Sequence, residues 1–258
     1  MFALHYGKDM KKVTAVDKQL VTRDGAVIAY QILGQTNKEV VLFLHGNSQN
    51  HHYFIKQKQR FSQQFKTIWL DTRDHGRSTN PQETLTFEMI VEDLHELVVR
   101  EHITKLSMVG FSDGANVALL FAKYYPSYVK KLVLISPNVT VAGIKAFQRY
   151  KTELLLKVLR GLCLKKWARR VQLSLTDTGL SKDDLQQFTF PILLVQGERD
   201  VIYAGHLEKV AEQLSHAKLE IVNYTGHSVP FLRPRWFNER VLSFLNETTS
   251  VHIEKREL

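Results

Sequence analysis

Residues 106–115 read LSMVGFSDGA. Leu106 to Val109 is a short apolar run that predicts a buried strand, and from Ala115 to Tyr124 small and apolar residues recur at helical spacing. Gly110-Phe111-Ser112-Asp113-Gly114 must therefore turn the chain from strand to helix. Flanking glycines let neighbouring backbone pass closely, and a serine on such a strained turn has its hydroxyl lifted clear of the sheet. With 13 glycines and 13 serines in 258 residues, Gly-x-Ser-x-Gly is expected by chance about 0.03 times. Pattern and context together point to a serine nucleophile rather than a serine that merely caps a helix.

Working outward, further strands are predicted on both sides. Val13 to Val21 and Val27 to Leu33 flank the turn dipeptide Asp24-Gly25 and form a hairpin. Val40 to Leu44 (VVLFL) has the composition of a strand buried on both faces. Thr67 to Leu70, Leu132 to Ile135, Ile192 to Val195 and Leu219 to Val222 continue the series. Helical patterns lie at Leu85 to Arg100, Tyr203 to Leu214 and Pro234 to Leu245. Two antiparallel strands followed by strand–helix units predict an α/β architecture, a mostly parallel sheet with helices on both faces. From Pro137 to about Phe190 the alternation stops, and the chain reads as helical with no core strand. An insertion leaving the carboxyl end of a strand is placed to cover a ligand site.

A serine hydroxyl needs a base to take its proton, and the base needs an orienting acid. On a sheet of this kind the acid and the histidine follow the serine in the chain. His206 falls inside a helical segment, His216 ends it, and His252 lies in the polar tail; His227 follows a strand directly, through Asn223-Tyr224-Thr225-Gly226. His227 is therefore the candidate base. The acid should leave the strand before it, where Gln196-Gly197-Glu198-Arg199-Asp200 supplies Asp200 as first choice and Glu198 as second. Negative charge developing on a substrate carbonyl needs two backbone donors. The amide of Asp113, next after the serine, is one candidate, and that of Asn47, in His45-Gly46-Asn47-Ser48-Gln49, is the other. His45 ends a buried strand and is expected to hold that loop by hydrogen bonds. The Asp113 side chain is expected to point outward at a helix N-terminus; facing the pocket, it would favour cationic or amino-bearing esters.

The strings HGNS at 45–48, DTRDHGRS at 71–78, GFSDG at 110–114, GERD at 197–200 and GH at 226–227 resemble the α/β-hydrolase superfamily, in its serine-nucleophile branch. The resemblance spans about Val13 to Leu245 and leaves the subfamily open. It implies an eight-stranded sheet with a helical cap after the sixth strand, so that 1–136 and 191–258 form the core and 137–190 the cap. It also implies a Ser112–Asp200–His227 triad, with Asn47 and Asp113 amides as oxyanion hole, and a structural role for the 71–78 run. Where many relatives have a second glycine after the elbow, this chain has Ala115, small enough to leave the chemistry intact. The implied activity is hydrolysis of a small-molecule carboxylic ester or related activated carbonyl through an acyl-enzyme, with no cofactor. Lactone, carbon–carbon bond, amide or thioester hydrolysis, and a non-catalytic binding or signalling role, are the alternatives.

Composition narrows the rest. A 44% hydrophobic, 24% charged chain is that of an ordinary globular protein. The one cysteine, Cys163, excludes an intrachain disulfide framework and a cysteine-based zinc site. No two glycines stand two apart, no phosphate-loop or HExxH string occurs, and His51-His52 lacks evident partner ligands, so neither a dinucleotide nor a metal is expected. No apolar run reaches ~18 residues, and Met1 to Lys12 lacks the apolar stretch of a signal peptide; a cytoplasmic protein without membrane span is expected. The net charge of +9 is concentrated between Gly143 and Gln172, where nine basic residues face one acid, Glu153, leaving +8. No nucleic-acid-binding module accompanies it. Ile144, Phe147, Leu154, Leu155, Val158, Leu159, Leu162 and Trp167 are expected to form the apolar face that roofs the pocket, with the basic residues solvated or contacting an anionic surface.

Overall fold

A computed structural model describes residues 13–247; Met1–Lys12 and His252 lie outside the described residues. Eight strands form one sheet in the order β1-β2-β4-β3-β5-β6-β7-β8. β1 (Val16–Val21) and β2 (Val27–Leu33) make the hairpin, Val21 opposite Val27, and β2 also runs antiparallel to β4 (Lys66–Leu70). All later pairings are parallel: β3 (Val40–Leu44) lies between β4 and β5 (Leu106–Phe111), followed by β6 (Val129–Ile135), β7 (Ile192–Arg199) and β8 (Ala217–Gly226).

The central strands are apolar on both faces because both faces are covered. Leu42 and Leu44 of β3 point into the layer shared with α2 (Phe87–Arg100), α3 (Asp113–Tyr124) and α7 (Ala204–Gln213). Val41 and Phe43 point the other way, toward α1 (Ile55–Ser62) and α9 (Pro234–Asn246), where Phe43 stacks on Trp69 at 3.9 Å between centroids. A single turn, α8 (Val229–Leu232), precedes α9.

The strands outrun the apolar stretches that predict them. β7 and β8 keep pairing past Val195, through Gln196 opposite Ile221 and Gly197 opposite Val222, to Arg199 opposite Gly226. Backbone ladders do not need apolar side chains, and β8 is an edge strand whose Lys218 and Glu220 pair with Glu247 and with Arg240 of α9. α1 was not predicted because IKQKQRFS is mostly polar; Phe61 and the fully buried Gln57 anchor it.

Between β6 and β7 lie α4 (Ala146–Gly161), α5 (Lys165–Ser174) and α6 (Lys182–Gln186). Leu185, Phe188 and Phe190 pack into the main core, while Leu156, Ala168 and Val171 form a small cluster of their own. Of the residues expected to roof the pocket, Ile144 lines the cavity beside Ser112 and His227, but the stripe on α4 does not. Only Leu156 of α4 is buried, and Phe147, Leu154 and Val158 are 73%, 49% and 50% exposed. α4 lies with Gln148 and Thr152 toward the cavity and its apolar stripe toward solvent.

Candidate active site

β5 delivers Ser112 to the carboxyl edge of the sheet. Its backbone takes φ 53° and ψ −120°, a left-handed conformation costly for a residue with a Cβ. The turn is held from both sides: Ser112 N–H donates to the Ile135 carbonyl (2.8 Å), and the amides of Ala115 and Asn116 donate to the Ser112 carbonyl. Both flanking glycines are sterically required. A Cβ on Gly110 would stand 2.4 Å from the Gly114 carbonyl oxygen, and one on Gly114 would stand 2.3 Å from that of Leu44.

β7 and β8 end beside this turn, and their loops bring Asp200 and His227 together. His227 Nδ1 lies 2.7 Å from Asp200 Oδ1. Asp200 is 2% exposed, and its remaining acceptor capacity is filled by Ser136 Oγ–H (2.6 Å) and the Ile202 amide (3.0 Å). Burial alone would push the Asp200 carboxyl up. The His227 hydrogen bond and charge, with the Ser136 and Ile202 donors, outweigh burial and hold it below the usual range. With Nδ1–H donating to the carboxylate, Nε2 of His227 is the nitrogen left to accept a proton. Glu198, the second-choice acid, is exposed and accepts the Tyr224 amide instead. His216 is exposed, and His206 packs against Gly143 and is not among the residues lining the cavity with Ser112.

The loop after β3 closes the site. A Cβ on Gly46 would stand 2.9 Å from the Phe111 ring, so the loop lies directly on the serine turn. His45 is buried, its Nε2 accepting the Thr72 amide (3.1 Å) and its Nδ1–H donating to the Gly46 carbonyl (2.8 Å). Neither the Asn47 nor the Asp113 amide N–H has a protein acceptor among the described residues. Beneath them, Asp71 accepts the His51 and Arg77 amides, and Arg73 pairs with Asp93 and Asp24. The 71–78 run thus ties the β1–β2 turn and α2 to the floor of the site.

Asp113 departs from expectation. Its side chain is buried and accepts Asn47 Nδ2–H at 2.9 Å. Burial pushes its carboxyl up to about 6, only partly opposed by the Asn47 hydrogen bond and the charge of His227. The reason is the cap: Asn47 Nδ2 also donates to the Arg170 carbonyl at 2.5 Å, so α5 closes over the turn and excludes water from Asp113.

Ser112 and His227 share a cavity of about 250 Å³ with Asn47, Asp113, Gln148 and Thr152. No hydrogen bond joins Ser112 Oγ to His227 in this conformation; contacts of this kind commonly tighten only in the substrate complex. A larger cavity of about 600 Å³ opens between α4–α5 and residues 83–86, lined by neither serine nor histidine. Among the described residues no three His, Cys, Asp or Glu side chains are grouped as metal ligands, and no helix is long and apolar enough to cross a membrane. Among the site residues not singled out from sequence are Ser136, Gln148 and Thr152. Ser136 carried a signal, since it directly follows the β6 run as His227 follows β8; the other two sit in a polar face that periodicity ranks as outward.

Known proteins agree with this architecture. The chain is 25% identical to the human serine hydrolase BPHL over 90% of its own length and 87% of the relative's. It is 23% identical to mouse epoxide hydrolase 3, covering 88% and 76% of the two chains. The crystal structure of carboxylesterase CesB from Bacillus subtilis superposes with TM-score 0.76 at 20% identity, over 90% of this chain and 92% of that one. The alpha/beta hydrolase fold family matches residues 39–183. That match covers more than half of the sequence, and the chain belongs to the α/β-hydrolase fold family.

Proposed function

We propose that this protein is a serine hydrolase acting on carboxylic esters or related activated carbonyls, with Ser112 as nucleophile, His227 as general base and Asp200 as its orienting acid. The observation that carries the reading is the 2.7 Å Asp200–His227 contact opening into the same cavity as a serine held at positive φ. The hydrolase and esterase names of the human and Bacillus relatives support it.

In this reading Ser112 Oγ attacks the substrate carbonyl carbon as Nε2 of His227 takes its proton, and Asp200 stabilises the imidazolium. The Asn47 and Asp113 amides, free of acceptors among the described residues, receive the oxyanion. The imidazolium then protonates the leaving alcohol, and His227 activates a water that releases the acid and restores the serine. A cavity of about 250 Å³ lies below the usual ~300–1,000 Å³ of ligand pockets, which favours compact acyl groups.

A fluorophosphonate probe tests the core of the proposal. Wild-type protein should be labelled and Ser112→Ala should not; equal absence of labelling from both would overturn it. Across p-nitrophenyl esters, acetate and butyrate should be cleaved faster than palmitate.

A further inference from the structure

The apolar face of α4 is turned away from the protein, and we propose that it is a docking face for an anionic membrane surface. Phe147, Tyr150, Leu154 and Val158 follow one another at spacings of three and four along α4, each about half or more exposed. Leu162 continues the line at 64% exposure, and Trp167 on α5 is 49% exposed. Single exposed apolar residues are ordinary, but a helical stripe of them is not.

Charge selects the occupant. Of the nine basic residues between 143 and 172, Arg169 and Arg170 are drawn inward toward the buried Asp74, to which Arg169 donates at 2.7 and 2.9 Å. The others stay at the surface. Lys151, Lys157 and Lys166 are exposed and have no acidic partner among the described residues, and Lys151 stands 5.1 Å above the Phe147 ring. A helix with an apolar stripe flanked by lysines lies in the plane of a lipid interface, its stripe among the acyl chains and its cations at the headgroups. A second copy of the chain would bring the same cationic surface against itself, which like-charge repulsion opposes. The chain ends are not complementary either: residues 1–12 carry three lysines against one aspartate, and 248–258 carry two basic and two acidic residues.

Docking this face would set Gln148 and Thr152, on the opposite side of α4, between the bilayer and the Ser112 cavity. The interaction itself does not depend on the proposed chemistry, so its test reads binding rather than turnover.

The full-length protein is sedimented with vesicles of phosphatidylcholine alone or mixed with phosphatidylglycerol, at low and high salt. Binding should require phosphatidylglycerol, weaken with salt, and shift Trp167 emission to shorter wavelength. Leu154→Glu with Val158→Glu should lower the partition coefficient at least about tenfold, and Lys151→Glu with Lys157→Glu by a similar factor. All four positions are exposed, so an unchanged thermal midpoint and circular dichroism spectrum certify the fold. Absence of wild-type binding at low salt, or full binding by the Leu154/Val158 variant, overturns the proposal. So does a concentration-dependent dimer abolished by that variant, or binding to soluble polyglutamate as strong as to the mixed vesicles; these outcomes assign the face to a second copy or to an acidic protein.

Discussion

α2 and α4 are both amphipathic helices, and they face opposite ways. α2 turns Ile90, Leu94 and Leu97 onto the apolar layer formed by Leu42, Leu44 and Met108, and leaves its glutamates outside. α4 turns Gln148, Thr152 and Leu156 inward and leaves Phe147, Leu154 and Val158 in solvent. Hydrophobic periodicity reports that a helix has an apolar face; what lies beneath decides where that face points. Under α2 is the sheet interior. Under α4 is the polar rim around Ser112 and His227, which an apolar roof could not hydrogen-bond.

The polar layer under α4 should carry the largest effect in the molecule. His227→Ala removes the proposed base, and ester hydrolysis should fall by about 10⁴-fold or more, with the thermal midpoint changed by at most a few degrees. Retained turnover would show that the chemistry lies elsewhere.

Next come the two helix faces themselves. Leu94→Ala empties a fully buried site and should cost about 2–5 kcal/mol in urea unfolding. Leu154→Ala, half exposed, should change stability by no more than about 0.5 kcal/mol. Equal costs would mean that the α4 stripe is packed in solution and that the contrast is false.

The floor of the site offers a titration. Burial holds the His45 imidazole down to about 4, and burial together with the His45 charge holds His75 down to about 3, from an ordinary 6.5. Between those values the unfolded chain binds protons that the folded chain does not. The stability from keeping each ring neutral is therefore complete above 6.5 and is lost as pH falls below it, by about 2 kcal/mol per ring at pH 5. Asp113 works with the opposite sign: its raised carboxyl adds stability as pH falls through about 6. The difference between wild type and His75→Gln isolates one ring. The disadvantage of the variant should shrink by about 2 kcal/mol between pH 7 and pH 5, and a constant gap would refute the assignment.

The same contrast explains what was legible in the sequence. The places of the strands along the chain and the elbow at Ser112 were readable because buried strands and a strand–turn–helix serine impose residue types at fixed neighbouring positions. That Asp200 and His227 meet could be read from their places after β7 and β8, since the ends of parallel strands lie at one edge. Asp113 could not be oriented, because its burial depends on Arg170, which arrives from α5 across the site. The direction of α4 was illegible for a related reason: its surroundings are set by distant loops rather than by its own spacing.

Ser136 gives the smallest and most discriminating effect. Its hydroxyl donates to Asp200 Oδ2, while Oδ1 holds His227 Nδ1–H and the Ile202 amide. Ser136→Ala leaves the histidine contact in place but withdraws one donor that favours the charged carboxylate. Hydrogen bonds to charged groups are worth about 1.5–3 kcal/mol, and the Ile202 amide shares the load, so kcat should fall about tenfold with KM nearly unchanged. The carboxyl should also move upward from its lowered value. In the proposed mechanism Asp200 supports His227 only when ionised, so the acid limb of the pH–rate profile should shift to higher pH in the variant. A purely structural serine would lower stability and leave that limb where it was, so the profile separates a positioning residue from a packing one.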